Sequence, residues 1–499
     1  MAATQTWTDF ERRMHEIADL GSAEALLDWD DATYCPDGSH EARGSLTSTI
    51  AAIKHERIAD PAYGELLDQL GSDVDLDEGG RAMVRISRRT RDRAVRLPES
   101  LVRRLAEQAT RTSAAWERAR KESDFALYQP ELERMMSLKL EEIDAVGFED
   151  DPYDALLDEY EPGLRVATLT PLLAALRDRL VPFVAEVLER PAPDAGLLHG
   201  PFDAERQLAF TRRVVSDFGF DFEHGRQDLS THPFCTSFTS DDVRLTTRVY
   251  ESLEPGALFS SMHEAGHGLY EQGLPGQYAR TPVANAPSLG IHESQSRFWE
   301  NVLGRSLAFW EHYLPILREY FPGSFDETTP DQIWRASNKV ERTPIRVDAD
   351  ELTYNLHVML RYELELDLVH RRLEVADLPE AWREKMEAYV GFTPRNDLEG
   401  VMQDVHWAFG GVGYFSTYTL GNLYSAAIAE AMRKDVDIDA QLRAGDFAPI
   451  LGWLRERIHS QGYLRSTEEL LADVTGRPLG IDAWLDYATA KYSDLYDLA

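Results

Sequence analysis

The stretch Ser261-Met262-His263-Glu264-Ala265-Gly266-His267-Gly268-Leu269 decides how the rest of the chain is read. On a helix, residues four apart share a face, so His263 and His267 present two imidazole nitrogens to one ion about 2.0–2.1 Å away. Glu264 lies one step round the helix, where its carboxylate can take a proton from metal-activated water without being a ligand itself. The pattern is that of a zinc-dependent peptide hydrolase, and a helix that bears it needs a second element to complete the coordination.

A catalytic zinc takes three protein ligands and keeps one position open. The segment Leu289-Gly290-Ile291-His292-Glu293-Ser294-Gln295-Ser296-Arg297-Phe298-Trp299 reads as an amphipathic helix and brings Glu293 26 residues after His267. A glutamate on a helix packed against the two-histidine helix is the expected third ligand. Upstream of the motif, Val243, Leu245, Thr247 and Val249 alternate with Arg244, Thr246, Arg248 and Tyr250, a period of two rich in β-branched residues that predicts a strand.

Elsewhere the period is helical. Trp7, Phe10, Met14, Ile17 and Leu20 recur at spacings of three and four, the apolar stripe of a first helix. Thr170-Pro171 predicts an N-cap and first helical residue, followed by one apolar face through Leu172, Leu173, Leu176, Leu180, Phe183, Val184 and Val187. The turn-rich run Arg190-Pro191-Ala192-Pro193-Asp194-Ala195-Gly196 punctuates the chain. It divides a helical half, 1–190, from a half, 206–499, that carries the histidine motif, within one continuous unit. The expected fold is mainly α, with a small β-sheet beside the motif helix.

Composition narrows the class further. The 499 residues are 43% hydrophobic, 10% aromatic and 28% charged, a globular balance. No apolar run reaches the ~18 residues of a membrane span, and the opening Met1-Ala2-Ala3-Thr4-Gln5-Thr6 lacks a basic region with an apolar core, so a cytoplasmic location is expected. Cys35 and Cys235 are too few for a disulfide framework or a thiolate metal site, and are expected to be buried as small apolar side chains. The 87 acidic residues against 52 basic ones leave a net charge of −35, which disfavours nucleic acid and anionic membranes as partners. Only 7 of the basic residues are Lys and 45 are Arg. Acids spread along the whole chain repel one another in dilute buffer, so work in concentrated salt is expected.

The ordered motifs extend well beyond the histidine helix. They run His232-Pro233-Phe234, Asp242-Val243-Arg244-Leu245-Thr246, His263-Glu264-Ala265-Gly266-His267, His292-Glu293-Ser294-Gln295, Ile345-Arg346-Val347-Asp348-Ala349-Asp350 and Gly400-Val401-Met402-Gln403-Asp404-Val405-His406-Trp407. Leu26-Leu27-Asp28-Trp29-Asp30 and the stretch from Tyr153 to Gly163 add matches in the N-terminal half. In these motifs the chain resembles the carboxypeptidase Taq family of metallocarboxypeptidases, nearly end to end. The resemblance implies a multi-helix zinc-peptidase fold with a deep active-site groove, similar to that of angiotensin-converting enzyme and neurolysin, and a homodimer. It implies His263, His267 and Glu293 as metal ligands, Glu264 as general base and acid, and zinc as the metal, with cobalt as a substitute. The activity it implies is release of single residues from the free C-terminus of peptides. A zinc endopeptidase or dipeptidyl carboxypeptidase of the same group, or a non-catalytic peptide binder, is the alternative.

Recognition of a free carboxylate calls for the bidentate fork of arginine. Arg346 lies in a matching motif and is the candidate clamp, unless it is committed to Asp348 or Asp350; Arg244 is the second candidate. His406 and Tyr418 resemble the pair that donates hydrogen bonds to the developing oxyanion, and Tyr414 can replace Tyr418 in that role. His232 and His292 flank the motifs, either in contact with the peptide substrate or in support of residues that are. The strand from Asp242 to Tyr250, were it a free edge, could pair with a peptide backbone and give broad specificity.

Overall fold

The structure is a computed structural model that describes residues 2–72, 75–254 and 256–498. Met1, at the head of the opening read for a leader segment, lies outside the described residues. The chain is mostly helical. Among the described residues no helix is long and apolar enough to cross a membrane.

The first predicted stripe lies on the helix Ala2–Thr33, with Phe10 and Met14 buried against Tyr63, Leu67 and Ile86. The Thr170-Pro171 expectation is corrected, since the helix begins at Val166 and runs to Leu188 with Pro171 and Pro182 inside it. Thr170 bonds the Tyr362 hydroxyl at 2.6 Å instead of capping. Its predicted face holds, with Leu173, Leu176, Leu180, Val184 and Val187 buried. The turn-rich run separates this helix from Ala204–Asp217, yet Val187 and Phe210 share one apolar core with Phe298 and Leu420.

Three strands follow: β1 (Gly225–Leu229), β2 (Cys235–Thr239) and β3 (Asp242–Thr247), in the order β1-β3-β2. β3 runs parallel to β1 and antiparallel to β2. The strand read from alternation is therefore the central one, paired on both sides, and it stops at Thr247. This removes the expectation that β3 offers a free edge to a peptide; the edges are β1 and β2. Val243 and Leu245 turn inward against the motif helix, where Gly268 sits under the Leu245 side chain. Neither cysteine is fully buried as expected, for both are partly exposed.

Candidate active site

The motif residues lie on the helix Ala257–Glu271, which packs on β2, β3 and the helix Leu289–Arg297. Gly266 sets how close the two helices come, because a Cβ there would stand 2.5 Å from the Gln295 carbonyl oxygen and 2.6 Å from Ser296 Cα. Gly421, on Ser416–Met432, does the same from the other side, where a Cβ would meet Glu293 Cγ at 2.4 Å. Glu293 is thus wedged between two helices that only glycine lets approach.

His263 Nε2 and His267 Nε2 face Glu293 Oε2 at 3.6 and 3.5 Å. Donor atoms each ~2.0–2.2 Å from a tetrahedral ion lie roughly 3.3–3.6 Å apart, so the three residues fit a single divalent cation. They form one of two such clusters among the described residues; the other, Asp31, Cys35 and His40, is at the surface.

The outer nitrogens are committed, which fixes the tautomers. His263 Nδ1 donates to Glu300 Oε2 at 2.9 Å. His292 Nε2 donates to Glu271 Oε1 at 2.7 Å, so its Nδ1 accepts from His267 Nδ1 at 2.6 Å, and the His292 carbonyl lies 3.1 Å from the same nitrogen. Both Nε2 atoms are left free to ligate. Burial tends to raise the Glu293 carboxyl, but Arg297 and His263 outweigh it and hold it well below the usual range. Arg297 Nε bonds Glu293 Oε1 at 2.7 Å, so the other oxygen is the one turned to the imidazoles. Glu300 is likewise held at about 2 against its burial, by the hydrogen bond from His263 and the charges of Arg297, His263 and Arg305. It lies in a π-helical turn, Phe298–Gly304, an irregularity that often marks functional sites.

Glu264 is buried and makes no hydrogen bond to a ligand residue. Burial pushes its carboxyl up to about 7, with Glu293 and Glu300 adding to the rise and His263 opposing it. Cys235 on the edge strand β2 is near enough to feel both Glu264 and Glu271.

A second group stands beside the first. Arg346 contacts Asp404 Oδ1 through Nε and Nη2 at 3.1 and 2.9 Å, and Tyr354 through Nη1 at 2.7 Å. Arg361 holds the other Asp404 oxygen at 2.6 Å. Neither Asp348 nor Asp350 is the partner: Asp350 caps the helix Glu351–Val369, accepting from Leu352 N and Thr353 N at 3.0 Å. Gln403 ties the two motifs together, accepting from Arg346 N at 2.8 Å and donating to the Pro344 carbonyl at 2.9 Å. Arg297 stacks 4.5 Å over the Tyr354 ring, so the metal-ligand group and the arginine group share a wall.

His406 Nε2 and the Tyr418 hydroxyl are 3.2 Å apart, and Arg346 lies 4.9 Å over the Tyr418 ring. Burial lowers His406 to about 4 and raises Tyr418 well above its ordinary value, so at neutral pH the imidazole is uncharged and the phenol keeps its proton. Tyr414 is 5.5 Å from the Tyr418 ring, and Glu293 is close enough to both to raise them. Glu365 steadies the loop that carries His406, accepting from Trp407 Nε1 at 2.7 Å and Gly413 N at 3.0 Å.

Two other sequence candidates lie elsewhere. Arg244 pairs with Asp242 at 2.9 Å and stacks 4.2 Å over Trp29 and 4.7 Å over Phe238. His232 is exposed in the loop between β1 and β2. His292 stands directly behind His267. Sequence reading missed Arg297 and Glu300; their spacing of four and seven from Glu293 on one helical face was the available signal. Glu271, Tyr354, Arg361 and the pairing of Asp404 left no local signal.

Two histidines one turn apart, a carboxylate from the next helix and a buried glutamate have the residue types and spacing of a metallopeptidase site. The profile of the carboxypeptidase Taq (M32) metallopeptidase family matches residues 9–492. The chain belongs to this family of metallocarboxypeptidases. It is 41% identical to thermostable carboxypeptidase 1 of Thermus thermophilus over 99% of both chains, and 36% identical to carboxypeptidase 1 of Bacillus subtilis over 98% of both. Its fold superposes on the M32 carboxypeptidase of Deinococcus radiodurans with a TM-score of 0.96 at 40% identity, over 99% of this chain and 100% of that one. For Trypanosoma cruzi metallocarboxypeptidase 1 the TM-score is 0.94 at 35% identity, over 98% and 99%.

Proposed function

We propose that this carboxypeptidase releases single residues from the free C-terminus of peptides, with broad specificity, using zinc, or cobalt in its place, held by His263, His267 and Glu293. A divalent cation held there would supply Lewis acidity to a scissile carbonyl and would acidify water. Glu264 takes the proton from the attacking water and returns it to the leaving amine nitrogen. Tyr418 donates its O–H to the carbonyl oxygen as negative charge develops on it, an interaction that contributes about 3 kcal/mol in comparable sites. His406, neutral and 3.2 Å from the Tyr418 hydroxyl, positions that hydroxyl or donates beside it. Arg346 receives the terminal carboxylate. The observation that carries this reading is the charge count around Asp404: two buried guanidinium groups share one carboxylate, which leaves one positive charge for an incoming anion. Arg244 is matched one-to-one with Asp242 and brings no charge in excess, whereas Arg346 shares Asp404 with Arg361, which favours Arg346 as the clamp.

Arg346→Ala is expected to lower kcat/KM on free-carboxylate peptides, and amidating the peptide should then cost the variant far less than it costs wild type. Equal losses on amidation in both proteins remove Arg346 from the clamp. If wild type cleaves an amidated peptide as fast as a free one, the endopeptidase reading replaces this one.

We further infer a cytoplasmic homodimer that works in concentrated salt. A net charge of −35 acts over a Debye length of ~30 Å at 0.01 M salt, and only ~3 Å at 1 M. The melting temperature should therefore rise between 0.05 and 3 M KCl; a flat or falling curve rejects the salt adaptation and leaves the peptidase assignment standing.

A further inference from the structure

Positive charge is concentrated in one place on this acidic chain. The helix Glu78–Arg96 bears seven arginines and two acids, Glu78 and Asp92. Arg81, Arg85, Arg88, Arg89, Arg93 and Arg96 recur at spacings of three and four along one face. The opposite face, with Ala82, Met83 and Ile86, is buried among Phe10, Tyr63 and Leu67. The six arginines line an open cavity of about 600 Å³ together with Leu70, Leu76, Val84, Val146 and Asp158. Its volume is within the range of small-molecule sites.

Half of this charge has a structural use. Arg88 pairs with Asp68 at 2.8 Å, Arg89 with Asp158 at 2.9 Å, and Arg93 with Glu142 and Glu159 at 2.8 Å each, tying the helix to its neighbours. The other half meets backbone carbonyls and an aromatic ring instead of carboxylates. Arg85 donates to the carbonyls of Tyr463 and Leu464, at 3.1 and 3.0 Å, and stacks 5.1 Å over the Tyr463 ring; Arg96 donates to the carbonyl of Val146 at 3.0 Å, and Arg81 to that of Leu76. Among the described residues none of these three has a carboxylate within ion-pair distance. Lys139, on Glu142 at 2.6 Å, adds a further positive charge behind the wall. The lining thus carries six arginines against Asp92 and Asp158, with Glu469 close enough to feel the charge of Arg85, in a chain whose net charge is −35.

We propose that this cavity binds a small multivalent oxyanion, its phosphate or carboxylate groups held by Arg81, Arg85 and Arg96. Guanidinium forks match the planar spacing of such oxygens and keep their charge at any working pH. Arg88, Arg89 and Arg93, each paired with a carboxylate, fix the helix face from which the three exposed arginines project. The surrounding acidic surface repels single-stranded and duplex nucleic acid, which restricts the occupant to something that fits inside.

The test is calorimetric titration of sodium tripolyphosphate into the intact protein, at fixed ionic strength and in the lowest KCl that preserves the folded circular dichroism spectrum. Saturable one-site uptake is expected, and the double variant Arg81→Gln/Arg96→Gln should bind about tenfold more weakly or worse, the loss expected when charge-assisted forks are removed. Its peptide hydrolysis should be unchanged. Citrate titrated in the same way tells a carboxylate ligand from a phosphate one. Should the double variant fold poorly, Arg81→Lys/Arg96→Lys keeps the charge and loses the forks, and weaker binding is again expected. Failure of both probes to saturate, or equal affinity in wild type and the folded variant, overturns the proposal.

Discussion

Replacing Glu264 by Gln is expected to leave the metal bound while lowering kcat by roughly 10²- to 10⁴-fold, the range that general acid-base catalysis contributes. The two outcomes separate because separate groups control them. The ligating nitrogens owe their orientation to Glu300 behind His263 and to the His292–Glu271 chain behind His267. Glu264 belongs to neither chain, and glutamine has the same shape. An amide cannot take a proton from water at neutral pH, so only the chemical step suffers. Elemental analysis of the purified variant, beside kcat on a free peptide, checks both halves. Full activity would falsify the general-base role, and loss of metal would show that Glu264 supports the ligands after all.

The parts of the site that sequence makes legible are those fixed within one helix or by one short connection. The spacing of His263, Glu264 and His267 follows from helical geometry alone, and Glu293 comes with it because a two-histidine helix needs a ligand from its nearest packed neighbour. The charge partner of Arg346 was legible only in kind. Asp348 and Asp350 are near in sequence, but Asp350 is needed at a helix N-terminus, and the partner comes from Asp404 in a separate loop. Sheet order was hidden for a related reason. Alternation in Val243–Tyr250 reports one buried face and says nothing of how many edges are paired, so a central strand reads like an edge strand. Thr170-Pro171 misled because Pro171 is accommodated within a helix that the Arg165–Val166 boundary had already begun, its apolar face supplying the packing that offsets the lost hydrogen bond.

Glu293→Ala is the second large effect, and it should remove both the metal and the activity. Two neutral imidazoles remain, without the negative charge that a dication needs close by, and metal content should fall to background after dialysis against buffer with a weak chelator. The substitution reaches further than the ligand set. Arg297 loses its 2.7 Å partner and keeps Glu300 only at 3.5 Å, while its guanidinium stays largely buried under Tyr354. Removing one member of a buried pair costs about 3–5 kcal/mol in comparable cases, so the melting temperature should drop along with metal content. Glu293→Gln separates the two effects. Its amide oxygen can still accept from Arg297 and its side chain still fills the space against Gly421, so the fold should be kept, but the anionic ligand is gone. The expected order of stability is wild type, then Gln, then Ala, with metal affinity weakened in both variants. A Glu293→Ala protein that retains one tightly held metal per chain would show that the third ligand is a different residue. Stable but metal-free Glu293→Gln would show that Glu293 acts on the cation through its charge and on the fold through its shape.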